Sequence, residues 1–322
     1  MAFNVSGLVD YVEEQRAALQ TATVIGAKMF NLVEVLDGVK GTEKLPQVAN
    51  TIFFQSDSCG FNASGATTFT QRALTVGDMK VDLEWCPKDL EKKYLGAQIR
   101  AGARYDSVEP SAVFQVILDD VNDQIAREAD IAIWQGNTSS GTGNNQFFDG
   151  LIDAMSGNGI DANTTSIYDG SVLSTAFTAA NAQEMMFRLY TALAENGLTD
   201  QADNLCFVGY DTYAALQSSL ILGGSTNGMQ INSGAGDPNT ATTEGIIFPG
   251  TTLRVIPVVG LNGQNKVYAG RTSNFFIGVD GANDMTNYDV WYSKDDKKVK
   301  FTTEFKLGTQ IAFPDEVAYI AL

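Results

Sequence analysis

Histidine is absent from all 322 residues, and this absence removes more chemistry than any motif present supplies. Without imidazole there is no Ser–His or Cys–His nucleophile pair, no histidine metal ligand and no side chain with an ordinary pKa near neutrality. Cysteine is scarce as well. Cys59, Cys86 and Cys206 are odd in number and far apart, which fits neither a disulfide framework nor paired zinc ligands. Cys86 stands before Pro87, where a helix start favours a thiolate, but no base neighbours it. Carboxylate, lysine and tyrosine chemistry survives, and no spacing singles it out, so neither a cofactor nor a metal is expected. A carboxylate-dependent hydrolase is the enzymatic alternative left open.

Positive charge is the next shortage. Lys and Arg number 21 against 38 Asp and Glu, a formal charge of −17. Sequence-specific nucleic-acid binding is disfavoured, because affinity for a phosphate backbone comes largely from basic residues displacing counterions. Nucleic acid confined nearby by other means is compatible with that charge, since ordinary salt screens it over about 10 Å. Long apolar runs are missing too: none approaches the roughly 18 residues of a membrane span. The opening "MAFNVSGLVDYVEEQR" has neither the basic start nor the apolar middle of a secretion signal, so a soluble chain without membrane contact is expected. At 44% hydrophobic content the chain is long enough for a full core and for two compact units.

What is present begins with an arm. Residues 1–50 hold one short amphipathic piece, Leu8, Tyr11, Val12, Gln15 and Leu19, and too few apolar residues for a core of their own. Next, "FTQRALTVGDMKVDLEW" at 69–85 alternates: Met79, Val81, Leu83 and Trp85 point one way, Lys80, Asp82 and Glu84 the other. This predicts one long half-solvated strand, and the turn-rich "GFNASGATTF" before it offers a run to pair with it as a ribbon. Pro87 and Gly96 bracket a compact helix.

From Pro110 to Gln135, Phe114, Leu118, Val121, Ile125, Ala129 and Ala132 recur at helical spacing, with Gly136 as the stop. Its other face, Asp119, Asp120, Asp123, Arg127, Glu128 and Asp130, reads as solvated rather than catalytic. After the polar loop 137–146, Asn181 and Glu184 form a capping pair for a helix stopped by Gly197. The strand "LCFVG" and a helix opened by Asp211 follow, so a mixed α/β unit is expected. Residues 223–245 contain little to bury and read as a long loop, without the pattern of a phosphate cradle. Near the end, "YDVWYS" and "KVKFTTEFKL" flank the charged turn "KDDKK" as a hairpin.

This succession resembles the major capsid proteins of tailed bacteriophages, the Hong Kong 97-type fold. The resemblance runs from about residue 50 to the end. It is carried by the 69–85 ribbon, the long helix ending "WQGN", "FFDGLIDAM", and the closing "TLRVIPVVGL", "VYAGRTSNFFIGVDG" and "VKFTTEFKLGTQIAFPDEVAYI". It implies an α+β fold with an N-terminal arm at 1–50, an extension loop with a short helix at 51–100, a peripheral domain at 101–145 and 280–322 around a spine helix, and an α/β axial domain at 146–279. It further implies a non-enzymatic structural protein of the virion. Such a protein assembles in the host cytoplasm as hexamers and pentamers of an icosahedral head enclosing double-stranded DNA.

Phe69, Arg72, Met79, Lys80, Val81, Asp82, Leu83, Glu84 and Trp85 of the ribbon, with Tyr11 and Arg16 of the arm, become candidates for contact between copies. The arm is too short for the cleaved scaffolding segment of some relatives, so a separate scaffolding protein or none is expected, beside portal and decoration proteins. Lys80 matches no specific crosslinking arrangement, so locking without covalent bonds is expected. An encapsulin-like compartment loaded with protein cargo is the alternative on the same fold.

Overall fold

The computed structural model describes residues 27–57, 59–60, 64–86, 111–156, 158–162, 176–199, 203–222, 245–280, 288–293, 295–296 and 298–322. Tyr11, Arg16, the helix expected from Pro87 and all but the last residue of the loop 223–245 lie outside them.

The first strands in chain order are β1 (Glu34–Leu36), β2 (Thr42–Ile52), β3 (Gly65–Thr75) and β4 (Gly77–Trp85). The helix α1 (Ser111–Gln135) and the single turn α2 (Leu151–Met155) come next. The α/β part holds β5 (Ile160–Asp161), α3 (Ala182–Glu195), β6 (Asn204–Gly209), α4 (Tyr210–Leu222), β7 (Ile246–Ile247), β8 (Arg254–Val258) and β9 (Lys266–Arg271). Then β10 (Phe275–Val279), β11 (Tyr288–Ser293), β12 (Lys298–Ile311) and β13 (Ala318–Ala321) end the chain. The expected α+β class is the observed one.

α1 is the expected helix, about 37 Å long at 1.5 Å per residue. Leu118, Ile125, Ala129 and Ala132 are buried, as their spacing requires, and Asp119, Asp120, Asp123, Arg127 and Glu128 are exposed. Gly136 stops it: its N–H donates to Ala132 O at 2.8 Å, and a Cβ there would lie 2.6 Å from Phe148 O as the chain doubles back. Asp130 departs from the expected solvated face. It is buried, with Oδ1 accepting the Met29 N–H at 3.2 Å and the Val259 backbone as a further partner. Burial raises its pKa to about 6 against these hydrogen bonds, which favour the carboxylate.

The strands form three β assemblies. One sheet runs β1–β10–β12–β11, with β4 on the other edge of β12; a second runs β5–β13–β9–β6–β8–β7; β2 and β3 pair with each other. The expected tail hairpin is β11 on β12, in the register Val290↔Phe301. Trp134 of α1 joins the two larger sheets, with its ring 5.4 Å from Phe207 of β6, which in turn lies 5.4 Å from Phe275 of β10. A second core packs Met185, Leu189 and Leu193 of α3 against the six-stranded sheet.

Three readings need correction. Residues 69–85 are two strands, because the buried side passes from Arg72 and Leu74 to Met79 and Val81, a one-residue slip that no continuous strand makes. Asn181 stands at the N-cap of α3 but makes no side-chain cap bond: its Oδ1 accepts the Thr178 N–H at 2.7 Å, while Glu184 pairs with Arg188 at 2.7 Å. Finally, β13 lies inside the six-stranded sheet and β10 in the other, so the chain crosses between the two more often than a single break near residue 280 implies.

Candidate inter-subunit surface

The ribbon of β2 and β3 pairs antiparallel over its whole length, from Thr42↔Thr75 to Ile52↔Gly65. At about 3.4 Å per residue, eleven residues span roughly 37 Å. Pro46 is tolerated because a two-stranded ribbon consists of edge strands, where a missing N–H costs no ladder bond.

The root of the ribbon is firmly seated. Leu45 and Leu74 are buried with Val39 and Ala312. Beneath them Gly278 and Gly308 are register partners in β10 and β12. A Cβ on Gly278 would run into Leu74, and one on Gly308 into the Thr75 carbonyl, so the paired glycines form a notch that the chain crosses. Arg72 donates from Nη2 to Ala154 O at 3.3 Å. Burial lowers its pKa while Asp315 acts in the opposite direction.

Beyond the root the ribbon leaves its own molecule. Residues 48–57 and 64–71 are all exposed. They include Val48 at 47%, Ile52 at 75%, Phe53 at 62%, Phe54 at 101% and Phe69 at 76%. Register sorts them by face: Val48 opposes Phe69, with Ile52 two steps on, while Ala49, Thr51, Thr68 and Thr70 occupy the other side.

The β4 candidates sit elsewhere. Met79, Val81, Leu83 and Trp85 face Phe305, Thr303, Phe301 and Val299 of the same chain, and the Trp85 and Phe301 rings lie 6.1 Å apart. On the polar face Asp82 accepts from Thr302 Oγ1 at 2.6 Å and pairs with Lys80 at 2.6 Å, which lowers the Asp82 pKa and raises that of Lys80. Glu84 pairs with Lys298. Thus Lys80, Asp82 and Glu84 already have partners within the molecule, as does Arg72; of the ribbon candidates Phe69 is the one on the projecting part. Sequence reading passed over Val48, Ile52, Phe53 and Phe54, although "VANTIFF" is uncharged and rich in β-branched and aromatic residues, which is a strand signal. Among the described residues no group of three His, Cys, Asp or Glu is placed to hold a metal ion, and no helix is long and apolar enough to cross a membrane.

No protein-family model matches the sequence, and no curated protein matches it. Solved structures do. A chain of the satellite phage P4 procapsid, a particle including the size determination (Sid) protein, aligns over 94% of this chain and 89% of its own, with a TM-score of 0.58 at 11% identity. The capsid of a native GTA particle aligns over 94% and 90%, with a TM-score of 0.55 at 12% identity. The capsid of Myoviridae phage XM1 aligns over 91% and 90%, with a TM-score of 0.51 at 13% identity. This chain has a phage capsid fold. At such identities what is shared is the course of the backbone.

Proposed function

We propose that the chain is the major capsid protein of a tailed double-stranded DNA phage, forming hexamers and pentamers that close into an icosahedral head. The observation that carries this reading is the outer ribbon: large apolar side chains left largely uncovered by their own molecule, on a chain with a capsid fold. In a monomer such a ribbon is a liability, since bare strand edges and apolar faces invite association. In a closed shell association is the function, with one surface of each copy meeting a different surface of the next.

The inner wall of such a shell encloses DNA without reading its sequence. A subunit of charge −17 holds the packed genome weakly and lets it leave. Portal and decoration proteins, with a separate scaffolding protein or none, are its expected partners. The arm residues Tyr11 and Arg16 and the ribbon residue Phe69 remain proposed contacts between copies, whereas the β4 residues act by fixing the ribbon to its own body.

The test is expression of the full chain, followed by sedimentation velocity and negative-stain microscopy. Rings or closed particles are expected. A monodisperse monomer at every concentration and salt tried defeats the proposal, and particles that carry a protein cargo but never DNA would move it to an encapsulin-like compartment.

A further inference from the structure

We propose that Asn158 is a site of spontaneous covalent modification, at which the Gly159 nitrogen attacks the Asn158 side-chain amide and the main chain entering β5 is converted to an aspartyl or isoaspartyl linkage. The proposal is independent of the self-assembly reading.

The sequence holds four Asn–Gly pairs, at Asn158, Asn196, Asn227 and Asn262. Glycine after asparagine favours this reaction, because no side chain hinders its nitrogen or restricts its backbone. Asn227 lies outside the described residues. The other three asparagines are all exposed, so access of water does not separate them. The attacking nitrogen does. Gly263 N–H, after Asn262, donates to Asp211 Oδ2 at 3.0 Å, and Asn262 Oδ1 accepts the Tyr210 N–H at 2.6 Å. Gly197 N–H, after Asn196, donates to Ala194 O at 3.0 Å, and Asn196 Nδ2 donates to Ala192 O at 2.8 Å. Both nucleophiles must give up a hydrogen bond before they can react. Gly159 N–H has no acceptor among the described residues. Asn158 Nδ2 donates to Ser156 O at 3.2 Å, a bond that holds the departing nitrogen and not the attacking one.

In the reaction a base takes the Gly159 N–H proton, the nitrogen bonds to Asn158 Cγ, and the Cγ–Nδ2 bond breaks with loss of ammonia. One water then adds to either carbonyl of the five-membered imide. One opening restores the ordinary main chain with a carboxylate side chain. The other runs the main chain through the former side chain, one atom longer. There is no slack here for that atom: a Cβ on Gly159 would already lie 2.4 Å from Met155 Cε and 3.0 Å from Val317 O. Just beyond, the Ile160 and Ala162 N–H groups donate to Val317 O and Tyr319 O, each at 2.9 Å, and hold the edge strand β5 on β13. A longer main chain shifts β5 against β13 and breaks these bonds.

The experiment ages the purified full chain in neutral buffer, native and unfolded in urea, and follows each Asn–Gly peptide by mass mapping and by enzymatic methylation of isoaspartate. In the native chain the peptide with Asn158 is expected to gain one dalton about tenfold or more faster than those with Asn196 and Asn262, the factor by which opening one hydrogen bond slows a reaction. In urea the three are expected to react at comparable rates, since the following glycine then sets them. Amide exchange at Ile160 and Ala162 is expected to quicken as wild type ages. In Asn158→Gln, whose side chain would have to close a larger ring, neither the mass gain at this peptide nor the faster exchange is expected. Asn196 or Asn262 reacting as fast as Asn158 in the native chain, or Asn158 staying intact there while it reacts in urea, overturns the proposal. Conversion to isoaspartate at position 158 with unchanged exchange at Ile160 and Ala162 overturns its effect on β5.

Discussion

Asp130 places a carboxyl where water cannot reach it, against the Met29 N–H and close to Lys28. Its folded pKa of about 6 lies above the ordinary value of 3.8, so the folded state holds this proton more tightly than the unfolded chain does. Its effect on stability is therefore most favourable below about pH 4 and is lost as pH rises through 6, by about 3 kcal/mol in all. In calorimetric scans Asp130→Asn, which keeps an oxygen for Met29, is expected to melt with wild type near pH 4 and above it at pH 7.5. Trp134 offers a second residue-scale test. It is fully buried between Phe207 and Tyr268, and its Nε1 has no hydrogen-bond partner. Trp134→Ala should cost about 3–5 kcal/mol in urea unfolding, and Trp134→Phe distinctly less, because it keeps a ring and removes an unpaired donor. Periodicity could find Ala129 and Ala132 but not the burial of Asp130, since the two backbone groups that hold that carboxylate come from turns 101 and 129 residues away in the sequence.

At the scale of elements, the notch of Gly278 and Gly308 holds the ribbon to the body. Gly308→Val drives a side chain into the Thr75 carbonyl, and the misfit should cost about 1–3 kcal/mol. The root is expected to lift before the body unfolds, so limited proteolysis should cut within 42–76 faster than in wild type while the cores of both sheets stay protected. Sequence reading did well where structure is local. The long helix and the terminal hairpin are written in side-chain period and turn residues alone. It failed where pairing is distant: the alternation of Met79 to Trp85 is real, but its partner, β12, lies more than two hundred residues on. The same alternation concealed the slip at Val76 and Gly77, because only the chain passing over the glycine notch shows that the buried side changes there. Phe53 and Phe54 were hidden by their position, next to polar residues that read as the end of an arm.

For the whole molecule the governing quantity is charge. With −17 on each copy, repulsion is the long-range force between copies and apolar contact the short-range one. Raising ionic strength from about 0.1 M to 1 M shortens screening from about 10 Å to 3 Å. Light scattering should therefore show the critical concentration for assembly falling severalfold with added salt. A rise instead would mean that ion pairs, not the ribbon, hold the copies together. The arrangement into two sheets was legible as a class but not in its crossings, because short strands such as β13 carry no mark of the sheet they join. That last crossing governs how the protein is made. Since Ala318 to Ala321 fill an interior place between β5 and β9, the sheet stays split on the ribosome until residue 321 has emerged. The two parts that it joins are therefore brought together late, after every other strand of that sheet is available.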